Sequence, residues 1–216
     1  MTERLRAAGL RVVIGGRVVI DVADLRAEAG ELVVVLGGAG SGKTTLARAL
    51  AGSVPAVGAV WVDGVVVVGP PSRRRRHGIA AAIRDGTRVV GCSVIEALRL
   101  AARGSGRVEE TLRRFPQLDA RRDVAAHALS GGEQQLLQVA AAWSSAPKVL
   151  VLDSPTVGLA ADAAASVVAC ARDEAARGSA VIWLEQDRRA APAEHRATLS
   201  SGSLSERAVS SAPAAE

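Results

Sequence analysis

Residues 37–45 read Gly-Gly-Ala-Gly-Ser-Gly-Lys-Thr-Thr. Gly37, Gly42, Lys43 and Thr44 fall on the fixed positions of G-x-x-x-x-G-K-[ST], with Gly38, Ala39, Gly40, Ser41 and Thr45 completing the stretch. Each residue type has a chemical reason. Glycines let backbone N–H groups turn inward around phosphate oxygens without a Cβ in the way. A helix start adds free N–H groups and partial positive charge. A lysine at this position reaches the β- and γ-phosphates of a nucleoside triphosphate, and the following hydroxyl can ligate Mg²⁺.

A second stretch, Leu129-Ser130-Gly131-Gly132-Glu133-Gln134-Gln135, also pairs small residues with a helix start. It can be read in two ways. It could present N–H groups to a second anion. It could equally be an ordinary N-cap followed by a Glu. A third candidate is Asp153, which ends the apolar run Val149-Leu150-Val151-Leu152. An Asp at the carboxyl end of a buried strand is where phosphate-loop proteins hold Mg²⁺.

These residues need elements to position them. Residues 32–36 read as a buried strand entering the glycine loop, and residues 45–51 as a helix leaving it, stopped at Gly52. Further helices are expected over residues 93–103, 107–115, 133–145 and 160–177. Further buried strands are expected over residues 149–152 and 180–184. Two hairpins are expected, over residues 10–22 turning at Gly15 and Gly16, and over residues 57–68 turning at Asp63 and Gly64. Buried strands alternating with helices imply an α/β fold with a mostly parallel sheet. The hairpins add an antiparallel β portion. Residues 205–216, rich in Ser, Ala and Pro, read as a disordered tail.

At this point the chain resembles a family, the ATP-binding subunits of ABC transporters. The glycine loop, the Leu-Ser-Gly-Gly-Glu-Gln-Gln signature and the strand-ending Asp153 occur in that family's order over residues 10–204. The resemblance implies a P-loop NTPase with a RecA-like core, in one ATP-binding domain over residues 1–204. It also implies a small helical subdomain near residues 93–128. ATP and Mg²⁺ would be the cofactors. Two such subunits, alike or unlike, would pair head to tail. Ser130, Gly131, Gly132 and Glu133 would then meet ATP held by the partner, and Thr44 and Asp153 would hold the metal. Membrane permease subunits would couple ATP binding and hydrolysis to transport, placing the chain in the cytoplasm, peripheral to the inner face of the membrane. A narrower likeness points to the branched-chain amino-acid uptake branch. It is carried by Gly78-Ile79-Ala80, by residues 86–90 and 93–98, by Phe115-Pro116-Gln117-Leu118, by Gly158-Leu159-Ala160 and by Leu184-Glu185-Gln186.

The chain also departs from the family. The family's water-polarising Glu is Ser154 here, and its switch His is Gln186, a replacement that the branched-chain branch shares. A hydroxyl is a poor base near neutral pH, and losing a general base typically costs ~10²–10⁴-fold in rate. The family's adenine-stacking aromatic is Ile14, a substitution that forfeits stacking of about 0.5–1.5 kcal/mol. Asp85 stands where a Gln or Glu is usual, Ala160 where an Asp is, and Ala141 where an Arg is. The triphosphate- and metal-binding residues are thus intact, while those that position water and base are eroded. This leaves room for two alternatives to a transport motor. One is a catalytically impaired subunit that pairs with a competent homologue. The other is a soluble nucleotide-dependent regulator.

Composition narrows the rest. With 216 residues, 49% of them hydrophobic and with one Phe and no Tyr, the chain can bury one sizeable aliphatic core. No apolar run approaches the ~18 residues needed to span a bilayer, and residues 1–10 do not read as a signal peptide. Cys92 and Cys170 lack metal-ligand spacing and read as reduced apolar residues. The net charge of +5 includes the run Arg73-Arg74-Arg75-Arg76-His77, read as a solvated surface turn. Without interleaved aromatics it offers bases no stacking platform, so no nucleic-acid partner is expected. His127 and His195 read as surface residues rather than catalytic ones.

Overall fold

A computed structural model of the chain describes residues 2–84, 89–102, 106–187 and 195–207. Its elements follow in order as β1 (Glu3–Ile14), β2 (Arg17–Glu28), β3 (Leu32–Leu36), α1 (Lys43–Ala51), β4 (Val57–Val62) and β5 (Val65–Val66). Next come α2 (Pro71–Arg76), β6 (Ile79–Ala82), α3 (Val94–Ala102), α4 (Arg107–Arg114), α5 (Pro116–Asp119) and a 3₁₀ turn at Ala126–Ala128. The chain closes with α6 (Gly131–Ser144), β7 (Val149–Asp153), α7 (Ala161–Ala176), β8 (Ala180–Glu185), β9 (His195–Ser200) and β10 (Ser203–Arg207).

The strands form two sheets. The main one has six strands in the order β10-β9-β3-β8-β7-β6. Every neighbouring pair from β9 to β6 runs parallel, and β10 returns antiparallel on the edge. The second is a four-stranded antiparallel sheet, β2-β1-β4-β5. Both expected hairpin turns form. Gly15 and Gly16 have φ of 56° and 76°, and Asp63 and Gly64 have 51° and 74°, the positive pair that lets a two-residue turn match strand twist.

The main sheet is buried on both faces, and the two-residue strand period divides its side chains between two cores. Val33, Val35, Val149, Val151, Ile182 and Leu184 pack toward α1 and the antiparallel sheet, joining Leu46, Leu50, Leu10 and Ile20. Val34, Leu150, Leu152, Val181 and Trp183 face the other way, with Leu98, Leu112, Leu137 and Val167 of α3, α4, α6 and α7. The helices expected near residues 93–128 lie in this second cluster, so they share their core with the sheet.

Several elements differ from expectation. The hairpin strands β1 and β2 extend well beyond residues 10–22, because their apolar alternation continues through Leu5, Ala7, Leu25 and Ala27, all buried. The expected tail begins inside a strand: Ser205 pairs with Thr198 and Glu206 with Ala197. Residues 208–216 lie outside the described residues, as does Asp85. The arginine run is helix α2, opened by Pro71 at its first turn, rather than a turn, and Arg73, Arg76 and His77 are solvent-exposed as expected. Arg74 Nη1 donates to the carbonyls of Ala49 and Leu50 at 2.8 Å each, capping the end of α1. Arg75 Nη2 donates to Ala101 O at 2.8 Å, at the end of α3. Both guanidinia thus add a donor to carbonyls in the last turn of a helix, where the regular i→i+4 donors run out; Ala49 O also accepts from Gly52 N at 3.2 Å. Among the described residues, no helix is long and apolar enough to cross a membrane.

Candidate functional site

The glycine loop joins β3 to α1 at the carboxyl end of the main sheet. β3 comes early in the chain, yet its neighbours β8 and β9 come late. A crevice at such a reversal of strand order is where open α/β sheets bind ligands. The loop's glycines are there for steric reasons. A Cβ on Gly37 would lie 2.4 Å from Ser41 Oγ and 2.8 Å from Leu199 O. A Cβ on Gly42 would lie 2.7 Å from Ile20 Cδ1 and 3.0 Å from Val19 O, and Gly42 has φ of 100°. No side chain caps α1, so the amides of its first turn remain available to an anion.

Lys43 opens the helix and folds back over the loop. It is 8% exposed. Its Nζ donates to Gly37 O at 2.6 Å, Gly38 O at 2.7 Å and Ser41 Oγ at 3.4 Å. Burial pulls its pKa below the usual lysine value, against the opposing fields of Asp153 and Glu185. Gly38, Ala39 and Gly40 are exposed, while Thr44 and Thr45 are half-buried in the first turn.

The neighbouring strand ends supply the acidic groups. Asp153 closes β7 and is 1% exposed. Ser154 follows it, is 8% exposed, and has φ of 47°. Its N–H donates to Leu184 O at 2.8 Å, which ties this turn to β8. Gln186, just beyond β8, is exposed, and its N–H donates to Glu185 Oε1 at 2.8 Å. Among the described residues no three His, Cys, Asp or Glu gather as a metal cage. Here the protein offers hard oxygen donors from a hydroxyl, Thr44, and a carboxylate, Asp153. A magnesium ion typically takes only one or two protein carboxylates and completes its shell with water and phosphate, so this sparse set fits it.

Glu185 is an acidic residue of the site that no motif marks. It ends β8 at 1% exposure. Burial pushes its carboxyl above the usual range, against the amides of Gln186 and Asp187, Trp183 and Lys43, which favour the charged form. The signal was the one already used for Asp153, a carboxylate closing a buried strand. It was hidden because the residue was read only as part of Leu184-Glu185-Gln186.

The second glycine-rich helix start is built differently. Ser130 caps α6 with a reciprocal pair of bonds. Its Oγ accepts from Glu133 N at 3.3 Å, and Glu133 Oε2 accepts from Ser130 N at 2.8 Å. The Ser130 contacts hold the Glu133 carboxyl below its ordinary pKa, with a smaller contribution from Arg121. Gly131 is exposed. A Cβ on Gly132 would sit 2.9 Å from Gly158 O, so a glycine lets this helix start pack on the turn after β7. Elsewhere, Ile14 is 54% exposed at the tip of the β1–β2 hairpin, and His127 is exposed. The side chain of His195 lies outside the description.

Comparison with known proteins gives this geometry a family. Residues 20–157 match the family described as ABC transporter. The high-affinity branched-chain amino acid transport ATP-binding protein BraG of Pseudomonas aeruginosa is 36% identical over 140 residues, covering 61% of this chain and 60% of that protein. The Fe(3+) ions import ATP-binding protein FbpC of Streptomyces avermitilis is 40% identical over 173 residues, covering 72% of this chain and 46% of that protein. The hemin import ATP-binding protein HmuV of Streptomyces coelicolor is 33% identical over 210 residues, covering 92% and 75%. The chain therefore spans about half to three quarters of the length of these relatives, and they do not single out the branched-chain branch. A solved ATP-binding subunit of an ABC transporter superposes with a TM-score of 0.81 at 23% identity, over 94% of this chain and 90% of that one. A nucleotide-free ATP-binding cassette from an ABC transporter gives 0.77 at 21% identity over the same shares. The fold is that of a P-loop NTPase, and the chain belongs to the ABC transporter family.

Proposed function

We propose that this chain is the ATP-binding subunit of an ABC transporter, and that it binds Mg-ATP at residues 37–45. The observation that carries the reading is the loop itself. Gly37 and Gly42 leave no room for a Cβ, α1 is uncapped, and Lys43 is folded over the turn. Gly38, Ala39, Gly40, Ser41, Gly42 and the amides of Lys43, Thr44 and Thr45 would surround the β- and γ-phosphates. Lys43 would exchange its bonds to Gly37 O and Gly38 O for phosphate oxygens. Thr44 and Asp153 would hold Mg²⁺, which supplies charge neutralisation between the phosphates.

A second copy, or an unlike relative, would complete the site. Ser130 Oγ already accepts a hydrogen bond, but its O–H remains a donor. Ser130, Gly131, Gly132 and Glu133 could therefore meet the γ-phosphate held by a partner without undoing the cap. Membrane permease subunits would couple this closure to transport, placing the chain at the inner face of the cell membrane. A branched-chain amino-acid-type importer is the branch favoured by residues 78–80, 86–98 and 115–118, and by the relative BraG.

Ser154 supports a second reading, that of a subunit whose own site turns over slowly and works beside a competent relative. A hydroxyl replaces the expected carboxylate, and the exposed Gln186 replaces the expected imidazole. Steady-state phosphate release at saturating Mg-ATP tests this. Ser154→Glu should raise the rate by up to ~10²-fold, since general-base catalysis contributes that much or more. A fast wild type, or a variant no faster, contradicts it.

A further inference from the structure

We propose that Glu185 is the carboxylate that receives the proton of the attacking water, in place of the one absent at position 154. The inference rests on the Mg-ATP reading of the loop. Three observations carry it.

First, Glu185 stands in the right place. It closes β8 between the two strands that build the site. Its backbone pairs with Leu36 at the entry to the glycine loop, and its carbonyl accepts from Gly37 N at 3.1 Å. On the other side, Asp153 pairs with Leu184 and the Ser154 N–H donates to the Leu184 carbonyl. The Glu185 backbone thus lies about one strand spacing, ~4.8 Å, from the position it would replace.

Second, the carboxylate is only half used. Oε1 accepts from Gln186 N, whereas Oε2 is buried and has no hydrogen-bond partner of good geometry among the described residues, although Trp183 and the Asp187 amide act on the carboxylate. Buried polar atoms in folded proteins are nearly always paired, and an orphaned one calls for a functional explanation. Third, Lys43 feels both Glu185 and Asp153, so this buried acid and the phosphate-binding lysine share one small region.

The reaction balances simply. The water oxygen bonds to the γ-phosphorus, and the bond from that phosphorus to the bridging oxygen breaks with its electron pair leaving on ADP. The water proton passes to Glu185 Oε2 and then to solvent, giving ADP and inorganic phosphate. An offset of one strand would make such a base slower than a Glu at position 154, because small misplacements of a reacting group cost orders of magnitude.

The test compares wild type, Glu185→Gln, Ser154→Glu and the double variant, each as the full chain. Glu185→Gln should lower phosphate release at least about tenfold. Its Mg-ATP affinity by calorimetry and its melting temperature should be no lower than wild type. The nucleotide retained after rapid desalting should shift from ADP to ATP. In the Ser154→Glu background the same change should cost little, since a carboxylate is restored. A Glu185→Gln variant as fast as wild type, or a wild type with no turnover above background, overturns the proposal while leaving nucleotide binding intact. An equal loss in the Ser154→Glu background also overturns it, by marking Glu185 as structural. Absence of Mg-ATP binding by the wild type would instead sink the underlying reading of the loop.

Discussion

The two glycine-rich helix starts are similar in sequence and opposite in structure. Before α1, Gly42 has no side chain to offer, nothing caps the helix, and the nearest charged group is the Lys43 ammonium. Before α6, Ser130 and Glu133 already satisfy each other's backbone amides. The first start leaves its N–H groups for an outside anion. The second satisfies part of its own need and keeps a hydroxyl hydrogen and two glycines on its surface. A glycine-rich N-terminus is therefore not by itself an anion site. What decides is whether the chain has filled it already.

The largest effect expected from this difference is on nucleotide binding. Lys43→Ala should weaken Mg-ATP by about 10²-fold, because hydrogen bonds to charged groups contribute roughly 1.5–3 kcal/mol each. Calorimetry reads it directly. The fold should tolerate the change, since the ammonium is desolvated in the native state.

Gly42→Ala should act on both fold and binding. Its φ of 100° and the 2.7 Å approach to Ile20 Cδ1 force strain on any side chain there, of order 1–3 kcal/mol. A lower denaturant midpoint together with weaker Mg-ATP binding is the expected result. An unchanged midpoint would mean that the loop re-forms around the methyl group.

At the other helix start the pattern should invert. Ser130→Ala should cost about 1 kcal/mol of stability, the usual value of an N-cap, and should leave Mg-ATP affinity of the isolated chain unchanged. If affinity falls as far as in Lys43→Ala, the two helix starts are not functionally distinct within one chain.

The smallest effect concerns pH. The folded-state pKa of Glu133 lies below its unfolded value because it accepts from Ser130. A depressed carboxyl contributes stability that is present above its unfolded pKa and lost as pH falls through its folded pKa. Glu133→Gln should therefore reduce stability near neutral pH and converge on wild type in acid. Melting curves across the acid range check the sign.

How much of this was legible in the sequence varies by element. The glycine loop, both hairpin turns, β7, β8 and α7 were readable because glycine pairs and unbroken aliphatic runs have few structural alternatives. Helix α2 was not, since Pro-Ser-Arg-Arg-Arg-Arg carries no apolar period. Arg74 and Arg75 are held by the carbonyl ends of α1 and α3, contacts that exist only after folding. Strands β9 and β10 were missed for a related reason: a polar alternating pair looks like a loop until it lands on a sheet edge. Within the site, Gly37 and Lys43 are marked by spacing, and Asp153 by its place at the end of an apolar run. Glu185 was not singled out, because only the parallel pairing of β3, β8 and β7 brings its strand end between the loop and Asp153. An N-cap at Ser130 was one of two open readings; the reciprocal bond from Glu133 that makes it a capping box emerges only in the structure.

The most direct test of the central claim is one calorimetric series, Mg-ATP titrated into the wild type, Lys43→Ala and Ser130→Ala. The expected result is saturable binding by the wild type, about 10²-fold weaker binding by Lys43→Ala, and wild-type affinity for Ser130→Ala. Equal affinity of wild type and Lys43→Ala, or equal impairment of both variants, would contradict it.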